Sequence, residues 1–349
     1  MKIKKIIDKT ELIFLSILCL SFLFFNAYSL NNWFYSIIGD EYAFFEFAKN
    51  FNYFGLKLFE QNGVYGYHPI FGSFFQYLVM SVFGKNNFGW RISSVLIVVL
   101  TIPGFYFFVK ELFNKKIAQY SSIAFTFSFY FFTYAHTGYN NIQVILPFIY
   151  SLLFASVSFK KSNYFFSILS GVFAGLGWLT FYTSRITILI VIFYYLISIK
   201  NKLLFFKYSL FLMSGFLLIF IPLYINDGLE VFYRMSYFTL VNKDWLGTYV
   251  DNPLTRWLAN FKINFFSFIY STDQQKHFLI PPLTDPLSQF FILTAFIVMF
   301  MSILKSNFAF LLTIYVFSTV IVSFNAIKEI VVSRLHISIL ILMIFIGIG

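Results

Sequence analysis

Asp40 and Glu41 are adjacent carboxylates lying just past the first long apolar run of the chain. A carboxylate held beside an attacking hydroxyl can take its proton, a role worth about 10²–10⁴-fold in rate. Two neighbouring carboxylates also raise one another's pKa. The same pair, preceded by Gly39, equally makes an ordinary solvated turn at a helix end, and the residues alone leave both readings open. Arg91, Arg185 and Arg334 each stand at the end of an apolar run. A guanidinium fork matches a phosphate bidentately, but it also snorkels readily to lipid headgroups. Snorkelling is the plainer account of any single one of them; a phosphate clamp is the better account of at least one. His68, His136, Tyr139, Asn140 and His277 are weaker candidates for lining a pocket, and Tyr67-His68-Pro69 is ordinary chemistry for a helix start. No H-x-x-x-H, His-carboxylate cluster, Walker loop or G-x-S-x-G elbow is present. Cys19 is the only cysteine, which excludes an intramolecular disulfide and a Cys-rich metal site.

The elements that must position these residues are membrane helices. The 349-residue chain is 59% hydrophobic and 11% charged, with a mean hydropathy of +0.78, far from any soluble domain of this size. Apolar runs at 12–30, 90–109, 117–135, 141–158, 164–181, 185–199, 205–226, 287–304, 306–324 and 332–349 predict about ten spans in one transmembrane domain. A further apolar helix at 69–83 is too short to cross comfortably. Pro147 and Pro222 fall inside spans and read as kinks. The 54 Phe and 24 Tyr accompany many Ile, Lys and Asn, a compositional bias that carries no function. The N-terminal lysines before the first run imitate a secretory signal, but the run is too long and lacks a convincing cleavage site, so it reads as an uncleaved span.

Charge sets the orientation. If 69–83 does not cross, one side holds the N-terminus and the connections with Lys110, Lys115, Lys116, Lys160, Lys161, Lys200, Lys202, Lys207 and Lys305. That side carries 13 Lys against Asp8, Glu11 and Glu111, net +10, and the other side is net +1. The split follows the positive-inside rule, so the net charge of +11 reports topology and not nucleic-acid binding. The N-terminus is then cytoplasmic, and 31–89 and 227–286 are exoplasmic loops, the first with one or two helices on the membrane surface. Every candidate named above falls on the exoplasmic side, as do all five arginines, against the rule's expectation. An apolar run reaching Gly349 with no polar tail reads as a chain incomplete at its C-terminus.

In this order the segments resemble the polyprenyl-phosphate-dependent glycosyltransferases of the GT-C fold, the protein O-mannosyltransferase and aminoarabinose-transferase superfamily (glycosyltransferase family 39-like). The acid pair sits in GDEYAFFEFAKN (39–50). YHPI (67–70) is similar to the family's His-Pro-Pro helix, and VFGKNNFGWRISS (82–94) to its Phe-Gly…Trp-Arg approach to the second true span. YAHTGYNN (134–141), SGVFAGLGWLTFYTSR (170–185) and HFLIPPLTDP (277–286) look like stretches of bacterial and archaeal members, and RLHISILIL (334–342) like the late Arg-bearing span. His-Pro-Ile replaces His-Pro-Pro, and Asn140-Asn141 stand where a number of relatives carry an acid.

The resemblance implies an all-α integral membrane bundle of GT-C type. It implies an inverting transferase that moves a sugar from a polyprenyl-phosphate donor to an acceptor hydroxyl on protein, glycan or lipid at the exoplasmic face. By it, Asp40 is the base, Glu41 orients the acceptor or tunes Asp40, and Arg91 and Arg334 hold the donor phosphate. His68, His136, Tyr139, Asn140, Arg185 and His277 would line the sugar and acceptor pocket. Neutralising the leaving phosphate needs no nucleotide; a divalent metal is left open, with no ligand cluster in the sequence to support one. The expected partners are membrane lipids, the lipid-linked donor and the acceptor. The alternatives are a lipid-linked sugar flippase, which would need polar residues deep within several spans, and an inactive truncated member of the family.

Overall fold

The computed structural model describes residues 8–30, 40–66, 68–232, 252–270, 279, 282–302, 305–324 and 332–349; of Ser29 and Asp40 it describes the backbone only. Among these residues every regular element is helical. In chain order they are α1 (Lys9–Ser29), α2 (Asp40–Lys49), α3 (Ile70–Phe83), α4 (Asn87–Leu112), α5 (Lys115–Thr126), α6 (Phe129–Ala135) and α7 (Ile145–Lys160). Then follow α8 (Tyr164–Trp178), α9 (Thr187–Ser198), α10 (Lys202–Asp227), α11 (Pro253–Phe265), α12 (Pro286–Met301), α13 (Ser306–Ser323) and α14 (His336–Ile348). Single 3₁₀ turns, Asn140–Val144, Tyr182–Ile186 and Val332–Arg334, lead into α7, α9 and α14, and Gly228–Phe232 follows α10.

Five of these segments are long and apolar enough to cross a membrane: Lys9–Tyr28, Asn87–Leu112, Asn140–Lys160, Lys202–Phe232 and Ser306–Ser323. Five shorter apolar helices accompany them. The chain is therefore a multi-pass membrane protein. Helix α3, with 14 residues, reaches only about 21 Å at 1.5 Å per residue, short of the roughly 30 Å hydrocarbon core. Two helices, α2 and α3, lie between α1 and α4. The run at 117–135 is not one helix: it breaks at Phe127–Ser128, where Ser128 turns extended (φ −66°, ψ 123°) before α6 begins. Pro147 is no kink either. Pro147 is the third residue of α7, directly after the 3₁₀ turn Asn140–Val144, where its fixed φ suits the first α-helical turn.

Helix α4 is the spine. Near its C-terminal end, Glu11 of α1 is buried and accepts from the Tyr106 hydroxyl (2.9 Å) and the Lys110 ammonium (2.6 Å). Near its other end, Arg91 meets an acid of α2. Nineteen residues separate Arg91 from Lys110, about 29 Å along a helix, so α4 carries one buried charge contact at each edge of a bilayer-thick apolar stretch. Helices α8 and α10 cross with their backbones touching. A Cβ on Gly171 would strike the Leu212 carbonyl, and one on Gly215 the Ile168 carbonyl. This is small-residue packing between membrane helices. Gly215→Val is expected to separate the pair and lower the thermal midpoint in detergent, whereas Ser214→Val, on an exposed position, leaves it unchanged.

Candidate functional site

The amphipathic phase of α2 separates the two acids. Glu41, Phe44, Phe45 and Ala48 are buried, at the i, i+3, i+4, i+7 spacing of one helical face. They pack with Val64, Met80, Trp90 and Tyr139. Position 40 falls instead on the stripe of Ala43, Phe47 and Asn50, none of which is fully buried.

Glu41 is 1% exposed. Its Oε1 accepts from the Trp90 indole N–H (3.3 Å) and the Arg91 Nε–H (3.4 Å), while Oε2 is buried without a hydrogen-bond partner among the described residues. Burial pushes this carboxyl up to about 7, with Arg91 and then Trp90 pulling it part of the way back. Between the ordinary value of 4.5 and about 7 the folded chain therefore binds more protons at Glu41 than the unfolded chain. This group's stabilisation is fully present below pH 4.5 and is lost as pH rises to about 7. The thermal midpoint of wild type minus that of Glu41→Gln is expected to fall between pH 5 and pH 8; a flat difference would contradict the buried placement.

The loop between α6 and α7 closes over this pair. Gly138 has φ +60° and passes so close to Trp90 that a Cβ would land on the indole nitrogen, and its carbonyl accepts from Gln76 Nε2 of α3 (2.9 Å). Only glycine fits both the backbone angle and the gap. Gly138→Ala is expected to displace Trp90 from Glu41, read as a shifted tryptophan emission. His136 is fully buried and its Nδ1–H donates to the Phe132 carbonyl (2.8 Å). Burial holds its imidazole below the ordinary value, offset in part by that carbonyl and reinforced by the Arg91 charge. Tyr139 and His68 both set ring edges against Phe44, with centroids 5.5 and 4.7 Å away.

From His68 the contacts run on to the far side. His68 stacks on Phe181 (5.8 Å) and Phe181 touches Tyr182 (4.5 Å). The Arg334 guanidinium lies over the Tyr182 ring at 5.6 Å, a cation–π arrangement. Asn141 Nδ2 donates to the Ser333 carbonyl (3.0 Å), tying the Asn140–Val144 turn to the turn that carries Arg334. Asn140 is buried beside them in sequence, its Oδ1 without a hydrogen-bond partner among the described residues. Thus Glu41, Arg91, His136, Tyr139, His68, Asn140 and Arg334 gather at one end of the bundle. Arg185 is engaged differently: it donates to the Val231 carbonyl (2.6 Å) and to Gln61 Oε1 (3.2 Å) and sits over Trp178. It holds the first loop to the end of α10. His277 and the Asp40 side chain lie outside the described residues.

Trp90, Gly138, Tyr182 and Gln61 are parts of this arrangement that the sequence did not single out. Trp90 and Gly138 stand inside stretches noted for their neighbours, and Gln61 lies in no pattern at all. A cavity of about 890 Å³ lies elsewhere, between α5, α12 and α14, and none of the candidate residues lines it. Among the described residues no three His, Cys, Asp or Glu side chains come together to hold a metal ion.

This bundle, with an acid pair opening the short helix that follows α1, has the fold of the GT-C membrane glycosyltransferases. The family model for dolichyl-phosphate-mannose-protein mannosyltransferase matches residues 67–225, a stretch that holds His68, Arg91, His136, Tyr139, Asn140 and Arg185. The fold is similar to that of ArnT from Cupriavidus metallidurans bound to undecaprenyl phosphate (TM-score 0.63, 14% identity). That match covers 96% of this chain and 59% of ArnT. It is also similar to the Archaeoglobus fulgidus oligosaccharyltransferase in its apo form (TM-score 0.59, 14% identity, 94% of this chain and 49% of that one). The same holds for AglB from A. fulgidus in complex with an inhibitory peptide and a dolichol-phosphate (TM-score 0.55, 12% identity, 94% and 49%). The chain thus spans about half to three-fifths of the length of these structures. No curated protein matches it by sequence.

Proposed function

We propose that the chain catalyses sugar transfer from a polyprenyl-phosphate donor to an acceptor hydroxyl, with inversion. The acceptor oxygen attacks the anomeric carbon from the face opposite the phosphate. The new C–O bond forms as the bond to the phosphate oxygen breaks and its electron pair leaves with polyprenyl phosphate. Asp40 takes the acceptor's proton. Arg334, at the edge of the cluster and 9% exposed, meets the charge that grows on the leaving phosphate, where a preorganised cation is worth most. Arg91 is engaged by Glu41, so it acts on the phosphate side through the field it adds near His136. The charge split of the loops supports an exoplasmic position for this end of the bundle and a cytoplasmic N-terminus.

The observation that carries the reading is the seating of α2. Glu41 anchors its inner face to Trp90 and Arg91, and this leaves position 40 on the outer stripe at the end of the bundle where Arg334 lies. The neighbours support the donor class, one being bound to undecaprenyl phosphate and another to a dolichol-phosphate. The family match and the fold both favour this reading over a flippase.

The test of the donor side is Arg334→Ala. Binding of radiolabelled undecaprenyl phosphate to the purified protein is expected to weaken about 10–100-fold, the worth of a charge-assisted contact, with Arg334→Lys recovering part of it. Unchanged affinity in Arg334→Ala would remove Arg334 from the phosphate.

A further inference from the structure

A groove of about 320 Å³ runs along the outer stripe of α2. Its floor is Ala43, Glu46, Phe47 and Asn50, and its walls are Phe54 and the turn Gly63–Tyr65. Ala43, Phe47 and Asn50 follow position 40 at i+3, i+7 and i+10, so the groove runs along the helical stripe that position 40 opens. The Phe47 and Phe54 rings are parallel (9°) with centroids 4.9 Å apart, and Phe54 is 47% exposed. Glu46 accepts from Lys49 (3.3 Å) and from Asn50 Nδ2 (3.2 Å), which fixes a polar edge beside the rings.

Tyr65 forms the rim. Its backbone is left-handed (φ 58°, ψ 18°), in a turn closed by the Gly66 N–H on the Gly63 carbonyl (2.9 Å) and by the Gly63 N–H on the His68 carbonyl (3.1 Å). A bulky side chain is disfavoured there and glycine is the residue such a turn selects. The chain nonetheless places a tyrosine in it, 52% exposed, with its ring edge toward Phe44 (6.4 Å) and near His68 (6.4 Å). Strain of this kind, held by surrounding hydrogen bonds, marks a place where the side chain is needed.

We infer that this groove is the acceptor subsite and that the acceptor it takes is a pyranose unit of a glycan. A pyranose ring has an apolar C–H face and a rim of hydroxyls. The groove offers aromatic faces from Phe54 and Tyr65 against the first, and Glu46 and Asn50 for the second. Its volume suits one or two sugar rings and leads toward position 40. The inference rests on the transfer reading above and names its acceptor.

Tyr65→Gly separates function from fold, because glycine relieves the backbone strain while removing the ring. Saturation-transfer NMR with the full chain in detergent micelles, using methyl glucoside, methyl mannoside and maltotriose without any donor, reads binding directly. In wild type, saturation should reach the ring C–H protons of at least one sugar. In Tyr65→Gly that signal should fall by roughly tenfold, with a thermal midpoint equal to or above that of wild type. Asn50→Ala should weaken binding with the fold intact. Absence of saturation in wild type, or an undiminished signal in Tyr65→Gly, overturns the subsite. A Ser/Thr-containing hexapeptide that binds in place of the sugars, and loses binding in Tyr65→Gly, overturns the glycan assignment. Sugar binding by a wild type that transfers nothing from any polyprenyl-phosphate donor upholds the groove as a glycan site and fails the transfer reading alone.

Discussion

Asp40→Asn is expected to lower sugar transfer by about 10²–10⁴-fold, the usual contribution of a positioned general base. The substitution keeps the size and the helix-opening character of the residue, since Asn and Asp serve alike at the start of a helix, so insertion and thermal midpoint stay as in wild type. What it removes is the ability to accept a proton. The acceptor hydroxyl must then attack as the neutral alcohol, while the donor still binds. The expected pattern is a fall in kcat with little change in KM for the donor. Donor turnover by membranes expressing each form measures it, and equal rates would take the base away from Asp40.

Breaking the pair beneath it has the second large effect, on stability. Arg91 is 1% exposed and Glu41 equally so. Removing Arg91 takes away both a donor and the cation that holds the Glu41 carboxyl down, so Glu41 stays protonated with a buried oxygen unmet, at a cost of about 1–3 kcal/mol. Arg91→Ala therefore loosens α2 from α4 and lowers the thermal midpoint. Glu41→Leu combined with Arg91→Met, which leaves no lone charge, is expected to recover much of the loss. Recovery of stability without recovery of transfer would show that the pair also shapes the field around the site. A single variant Arg91→Ala as stable as wild type would contradict the buried contact.

Much of the frame was legible because the signals are redundant along the chain. Lipid length requirements and lysine placement both pointed to α4 as a span and to α3 as a helix too short to cross. The break of 117–135 was not legible, because hydropathy averages over Ser121, Ser122, Thr126 and Ser128 and does not register where Ser128 turns extended. Within the candidate site, residue type alone makes Asp40 and Glu41 equivalent; only the resemblance separates them, and helix phase supplies a physical difference. Phe44, Phe45 and Ala48 set that phase: Glu41 turns inward, and position 40 shares the outer stripe. The partnership of Arg185 with Gln61 spans 124 residues of sequence and has no local signature, so Arg185 looked like a pocket residue when it fastens the first loop to the end of α10. The left-handed tyrosine at 65 was hidden for another reason. Gly63-Val64-Tyr65-Gly66 looks like an ordinary glycine turn, and only the backbone shows which residue bears the strain.

The central claim is transfer from a polyprenyl-phosphate sugar at the Asp40 end of the bundle. The purified chain in lipid vesicles, given polyprenyl-phosphate sugars labelled in the sugar and a glycan acceptor, tests it most directly when free polyprenyl phosphate and product anomer are both followed. One polyprenyl phosphate is expected per sugar transferred, with a product of inverted anomeric configuration, and both are expected to be lost in Asp40→Asn. A product that retains the donor's configuration, or transfer that persists in Asp40→Asn, would contradict it.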